Sequence, residues 1–156
     1  MMTKYVKCDI FESGADVICH QVNCQGVMGS GIAKQVREKY PLVYEKYHLE
    51  CSKNVSDNLL GGALILPANE TIYIANLFGQ DKYGYDRKCY TDYKALESAL
   101  FETAVWATIN EKTKIAIPYK IGCARGGGDW NIVYEIITRM FNFEQFEVLI
   151  CEYNGG

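Results

Sequence analysis

Two stretches of this sequence place a strand, a run of glycines and a helix in the one order that suits binding of an anion. The first is Asn23-Cys24-Gln25-Gly26-Val27-Met28-Gly29-Ser30-Gly31, which follows a strand-like segment ending at Val22. The second is Ile121-Gly122-Cys123-Ala124-Arg125-Gly126-Gly127-Gly128-Asp129-Trp130, which follows a strand-like segment ending near Pro118. Seven of the 14 glycines fall in these two loops, so the enrichment is local. Glycine opens backbone angles closed to other residues and lets a ligand approach the main chain. The helix behind each loop adds unpaired N–H groups and the positive end of a dipole. One such loop alone also reads as ordinary chain reversal, but two at one edge of a sheet would grip a diphosphate from both sides. Neither loop is a GxxxxGK[ST] phosphate loop, and neither is a GxGxxG fingerprint with its acidic ribose reader.

The remaining reactive residues point to less. Cys123 follows Gly122 in a loop and superficially resembles a nucleophile turn, yet the chain has only two histidines and no evident orienting group. Cys19, His20 and Cys24 match no usual zinc spacing and no second ligand pair follows, so no metal is expected. No cofactor is expected either. Seven cysteines, an odd number without a CxxC pair, read as reduced thiols that pack as small hydrophobes.

Composition sets the frame for these residues. A chain of 156 residues fits one domain spanning 1–156, large enough to bury a core around a preformed cleft. The net charge of −3 supplies no basic excess for general nucleic-acid binding, and the Lys and Arg residues are scattered in sequence. A nucleic acid is therefore expected only as a conjugate carrying the ligand. No apolar run approaches membrane-spanning length, and Met1 to Phe11 lacks the apolar core of a signal peptide; a cytoplasmic protein with no membrane partner is the expectation.

The elements that must position the loops alternate between strand and helix. Strands are expected at Lys4–Lys7, Asp16–Val22, Ala63–Leu66, Thr71–Phe78, Lys114–Pro118 and Phe146–Cys151. Helices are expected from Ser30 to Tyr40, from Leu42 to about Cys51 beyond Pro41, and from Thr91 to about Asn110. A last helix, capped by Asp129, carries Ile132, Val133, Ile136, Ile137, Met140 and Phe141. The order implies an α/β fold of three layers, α/β/α, with a central mixed sheet.

At the loops the chain resembles a family. ICHQVNCQGVMGSGIAKQVREKYP resembles the first binding loop of macrodomains, and IPYKIGCARGGGDW resembles their phosphate-binding loop. KCDIF, NLLGGALILP and YIANLFGQ match further strands in the same order, so the likeness runs over nearly the whole chain. The branch it resembles contains yeast-type ADP-ribose-1″-phosphate phosphatases, terminal ADP-ribose glycohydrolases and bacterial DNA-ADP-ribose hydrolases. The resemblance implies that Asp9, with the Ile10 backbone, meets adenine and that Asn23 holds the distal ribose. Gly29, Ser30, Gly31 and Ile32 would line ribose and diphosphate. Gly122, Cys123, Ala124, Arg125, Gly126, Gly127 and Gly128 would wrap the phosphates, and Tyr153 or Asn154 would cover the adenine. Each has a plainer counterpart: Asp9 as a solvated turn carboxylate, Tyr153 as a packed terminal aromatic, Arg125 as a solvated cation, Asp129 as a helix cap.

The resemblance also implies chemistry. His20 matches a histidine before Val-Asn to which the phosphatase branch gives a catalytic role, making His20 and Asn23 the candidate catalytic residues; a hydrogen-bonded core histidine is the competing reading. His48, among charged neighbours, reads as surface. The glycohydrolase branch uses a Lys after the strand matching Ile72–Phe78 and an Asp in the second loop. This chain has Gly79-Gln80 and Gly126 there, with Asp81 and Lys82 nearby. Two functions follow: a hydrolase acting on ADP-ribose-1″-phosphate or an ADP-ribosyl conjugate, or a non-catalytic ADP-ribose reader. A poly(A)-binding module ranks behind both.

Overall fold

A computed structural model describes residues 1–153. Its six strands are β1 (Met2–Lys7), β2 (Val17–Val22), β3 (Ala63–Pro67), β4 (Tyr73–Phe78), β5 (Lys114–Pro118) and β6 (Glu147–Glu152). Its helices are α1 (Gly31–Lys39), α2 (Pro41–Lys53), α3 (Ser56–Leu59), α4 (Tyr93–Ile109) and α5 (Trp130–Met140), with a 3-10 turn at Ile10–Glu12. The strand order is β1-β6-β5-β2-β4-β3, parallel throughout except for the antiparallel β3–β4 pair. The sheet is therefore mixed and lies between two helical layers.

Alternation along the strands builds both layers. On β2, Val17 and Cys19 point into a core shared with α4 and α5, while Ile18 and Val22 point into one shared with the 3-10 turn, α1 and α2. β5 and β6 repeat the pattern: Ile115, Ile117, Val148 and Ile150 serve the first core, and Ala116, Leu149 and Cys151 the second. α4 buries Leu96, Leu100, Thr103 and Ala107, which recur at intervals of three and four along one face. Each fully buried aliphatic side chain contributes about 1.5–3 kcal/mol. No helix among the described residues is long and apolar enough to cross a membrane.

Element boundaries shift slightly from the sequence reading. α4 starts at Tyr93 rather than Thr91, because Thr91 pairs with Gln80 in an isolated bridge and Asp92 caps the helix by accepting from the Ala95 N–H. The 3-10 turn and α3 have no counterpart in that reading; each is too short to show a period.

The topology fixes where a ligand can sit. β2 and β5 are parallel neighbours, yet β2 leads into α1 on one face of the sheet and β5 into α5 on the other. Connections that diverge in this way leave a crevice at the carboxyl ends of the two strands.

Candidate functional site

Both glycine loops open onto that crevice. A cleft of about 270 Å³ is lined by Asn23, Val27, Gly29, Ser30, Gly31, Ile32 and Ala33 on one side and by Ile121, Gly122, Ala124, Arg125 and Gly126 on the other. A second hollow of about 360 Å³ adjoins it, sharing Ile32, Pro118, Tyr119 and Lys120 and adding Asp9, Ile10, Cys151, Glu152 and Tyr153. Either hollow alone is small for a nucleotide sugar; joined, they fall in the range of small-molecule sites.

The two loops offer donors differently. α1 begins without a side-chain cap: Ser30 is extended at the N-cap position, and its hydroxyl accepts nothing from the first turn. Helix N-termini leave such amides unpaired, so the first turn of α1 meets the cleft with bare N–H groups. α5 differs, for the Asp129 carboxylate already accepts from the Asn131 N–H at 2.9 Å. One first-turn amide of α5 is thus already engaged, and Asp129, Trp130 and Asn131 do not line the cleft. On that side the loop itself supplies donors, since the N–H groups of Ala124, Arg125 and Gly126 have no partner among the described residues.

Gly122 and Gly126 are required by protein neighbours as much as by a ligand. Gly122 is left-handed (φ 74), and its carbonyl accepts from the Thr91 hydroxyl at 2.7 Å and the Gly128 N–H at 2.8 Å. A Cβ on Gly126 would stand 2.4 Å from Thr91 Oγ1 and 2.5 Å from that same carbonyl. Gly127 packs against the backbone of Lys88 and Cys89, where a Cβ would lie 2.6 Å from the Lys88 carbonyl oxygen. Cys123, Gly127 and Gly128 do not line the cleft, although the sequence placed them with the phosphate ligands. Burial pushes the Cys123 thiol up to about 11, which leaves no thiolate for a nucleophile.

Asn23 lines the cleft but is 8% exposed and largely committed to its own loop. Its Oδ1 accepts from the Gln25 N–H (3.0 Å), the Val27 N–H (3.3 Å) and the Tyr47 hydroxyl (2.9 Å), and its Nδ2 donates to the Val27 carbonyl at 2.8 Å. One N–H of the amide remains for a ligand. Asp9 accepts from the Phe11 N–H at 3.0 Å, capping the 3-10 turn, and also lines the second hollow. Tyr153, 57% exposed, lines that hollow as well. Asn154 lies outside the described residues. Trp130 packs edge-on against Tyr119, at 5.2 Å between ring centres.

His20 lies in the cleft floor at 2% exposure. The β2–β4 register sets it opposite Asn76, whose Oδ1 is 2.6 Å from Nε2. Asn76 Nδ2 donates to the Leu64 carbonyl, so its Oδ1 is the acceptor and His20 carries its proton on Nε2. The bare Nδ1 is buried without a partner among the described residues. Burial pulls the imidazole down to about 4, against which the Asn76 bond acts weakly, and the ring is neutral at pH 7. This is the geometry of the core-histidine reading.

Several lining residues escaped the sequence reading: Gln21, Gln80, Tyr83, Gly84, Tyr85, Tyr119 and Lys120. Gln21 Nε2 donates to Gln80 Oε1 at 2.7 Å and to Thr91 Oγ1 at 2.9 Å, and Gln80 Nε2 donates to the Lys82 carbonyl at 2.8 Å. Through Thr91 and Gly122 the chain of bonds joins β2, the β4–α4 connection and the second glycine loop. A Cβ on Gly79 would collide with Gln21 Oε1, so a side chain at 79 would have to displace the Gln21 amide. The available signal was the connection itself, Gly79 to Asp92, because structureless loops of that length tend to be functional.

A family model described as Macro domain matches residues 19–137, which include both glycine loops. An ADP-ribose 1″-phosphate phosphatase of Scheffersomyces stipitis is 34% identical over 98 residues, covering 51% of this chain and 57% of that protein. The chain spans about half the length of the first curated relatives it matches. An uncharacterised 17.5 kDa protein of Enterobacteria phage T4 is 30% identical over 165 residues, covering 98% of this chain and 97% of its own. Among solved structures, the macrodomain of Thermus aquaticus DarG superposes with a TM-score of 0.80 at 23% identity, covering 97% of this chain and 98% of that one.

Proposed function

This chain belongs to the Macro domain family, and on that premise we propose that the joined hollows bind ADP-ribose or a close derivative and that the chain hydrolyses the bond at the distal ribose. The bond is a 1″-phosphate ester or the link to an ADP-ribosylated conjugate. The observation that carries the reading is convergence: the uncapped start of α1 and the unpaired amides of Ala124 to Gly126 line one cleft. The name of the Scheffersomyces stipitis relative, an ADP-ribose 1″-phosphate phosphatase, supports the substrate class.

In this reading adenosine occupies the hollow of Asp9, Ile10 and Tyr153, and the diphosphate lies between the two sets of amides. The distal ribose then falls among Asn23, Gln80 and Gly126. Among the described residues no carboxylate lines the cleft, so catalysis rests on holding water and the anomeric carbon in place, with backbone N–H groups stabilising the charge that develops. The substrate's own phosphate is the available base. His20 acts as a positioning residue: it ties β2 to β4 beneath Asn23 rather than delivering a proton.

A lining without a carboxylate among the described residues also favours a second reading, a non-catalytic ADP-ribose reader. Incubating the purified chain with ADP-ribose-1″-phosphate and with an ADP-ribosyl ester, beside calorimetry with ADP-ribose, separates the two. Release of phosphate or ADP-ribose supports the hydrolase. Binding without turnover on either substrate class establishes the reader, and absence of binding rejects both.

A further inference from the structure

The two hollows meet along a seam. Ile32, Pro118, Tyr119 and Lys120 line both, and Lys120 is the one charged residue of the four. Its backbone is held in a conformation that suits it badly. The Ile121 N–H donates to the Pro118 carbonyl at 3.0 Å and closes the turn Pro118–Ile121, whose third residue, Lys120, has φ 61. That position favours glycine or asparagine, because a side chain there crowds the main chain. The next loop sets glycine at the same conformation, at Gly122 (φ 74) and Gly127 (φ 70), whereas the seam keeps a lysine. Among the described residues Arg87 and Glu111 are the other non-glycine residues with positive φ, and neither lines a hollow. Strain of this kind at a ligand cleft points to a side chain with a task there.

No carboxylate holds the side chain. Lys120 is exposed and forms no ion pair among the described residues. Its ammonium lies 5.4 Å from the centre of the Tyr119 ring, a weak contact at an exposed position. Two acidic residues line the second hollow. Asp9 already accepts from the Phe11 N–H, and Glu152 does not reach into the cleft, as Lys120 does. The donors assigned to the diphosphate lie further along. Ala124, Arg125 and Gly126 line the cleft and not the second hollow, and the Arg125 guanidinium stands 4.3 Å from the centre of the Tyr85 ring.

With the adenine in the second hollow and the diphosphate in the cleft, the ribose between them falls at the seam. Its 5′ carbon carries the diphosphate and its 1′ carbon the base, which leaves the 2′ and 3′ hydroxyls to face Lys120. Resting on that reading, we propose that Lys120 binds a phosphate monoester on the adenosine ribose, so that the site prefers ADP-ribose phosphorylated there to ADP-ribose itself. The extra phosphate replaces a neutral hydroxyl by a doubly charged group beside an ammonium that lacks a counter-ion. The pair is exposed, so the preference is greatest at low salt and shrinks as salt rises.

The test is calorimetry on the whole chain at low salt with three ligands: ADP-ribose and its adenosine 2′- and 3′-phosphates. One of the two phosphates should bind roughly five- to tenfold tighter than ADP-ribose. Lys120→Gln should abolish that preference and leave the affinity for ADP-ribose within about twofold, and Lys120→Arg should retain the preference. Lys120→Gly should abolish it too, yet raise Tm by about 1–4 °C, because the left-handed strain is gone. Equal affinity for all three ligands, or a preference that survives Lys120→Gln, would overturn the proposal. So would an equal loss on all three ligands in Lys120→Gln, which would put the ammonium on the diphosphate. A lower Tm for Lys120→Gly would overturn it as well, by assigning the side chain to packing on Tyr119. ADP-ribose binding without the preference sinks the role of Lys120 alone, whereas binding of none of the three sinks the cleft reading with it.

Discussion

Lowering the pH from 7 to 5 should destabilise this protein through His20 by an amount that its burial sets. In the folded chain the imidazole is held down to about 4 from its ordinary 6.5, first by desolvation. The unfolded chain takes up the proton first as the pH falls. Between about 6.5 and about 4 the unfolded state therefore binds more protons, and stability rises with pH across that window. The contribution is fully present above 6.5 and lost on acidification through the window. The linkage gives a loss of about 1 kcal/mol at pH 6, about 2 at pH 5 and about 3 below pH 4. For a domain of this size, 2 kcal/mol lowers Tm by roughly 4–8 °C.

The assay is urea or thermal unfolding of the wild type and His20→Gln at pH 7, 6 and 5. Glutamine keeps a donor for Asn76 and removes the titration. The carboxylates are common to both chains and cancel in the difference, so the stability gap between wild type and variant should close by about 2 kcal/mol from pH 7 to 5. Parallel curves would refute the buried, neutral histidine. So would a kcat/KM inflection near the ordinary histidine pKa that disappears in His20→Gln, because it would restore His20 to acid–base chemistry.

Gly126→Ala should cost about 1–3 kcal/mol of stability and tenfold or more in ADP-ribose affinity, because the new methyl has to displace Thr91 Oγ1 or the Gly122 carbonyl. Unchanged calorimetric affinity would show that the second loop does not hold the ligand. Tyr47→Phe removes the hydroxyl that donates to the Asn23 carbonyl at 2.7 Å and to its Oδ1 at 2.9 Å. It should lower stability in urea by about 1–2 kcal/mol and weaken ADP-ribose binding without touching the ligand; a stability loss with full affinity would mean that the shape of the first loop is irrelevant to the site.

The parts of the site that could be read from the sequence were those whose causes are local. A strand ending at Val22, glycines with open backbone angles and a helix beginning near Gly31 all follow from neighbours in the chain, as does the face of α4 from its spacing. What stayed hidden depends on partners far apart. Gln21 looks like any polar strand residue until the sheet brings it to Gln80 and Thr91, 59 and 70 residues away. Asn23 resembled a free ligand amide until Tyr47, 24 residues on, claimed its oxygen. The glycines mislead in the same way. Gly79, Gly126 and Gly127 are small because Gln21, Thr91 and Lys88 fill the space that a side chain would need. A glycine run therefore marks a close approach without saying whether a ligand or the protein approaches. The distinction lies in which amides are left without partners, and among the described residues those of Ala124, Arg125 and Gly126 are. Glycines 126 and 127 fix the loop against the β4–α4 connection, and the unpaired amides, only one of them on a glycine, are what that fixed loop presents. By this argument alanine at Gly126 disturbs binding by moving the loop, whereas alanine at Arg125 keeps the amide and removes only the side chain beside Tyr85.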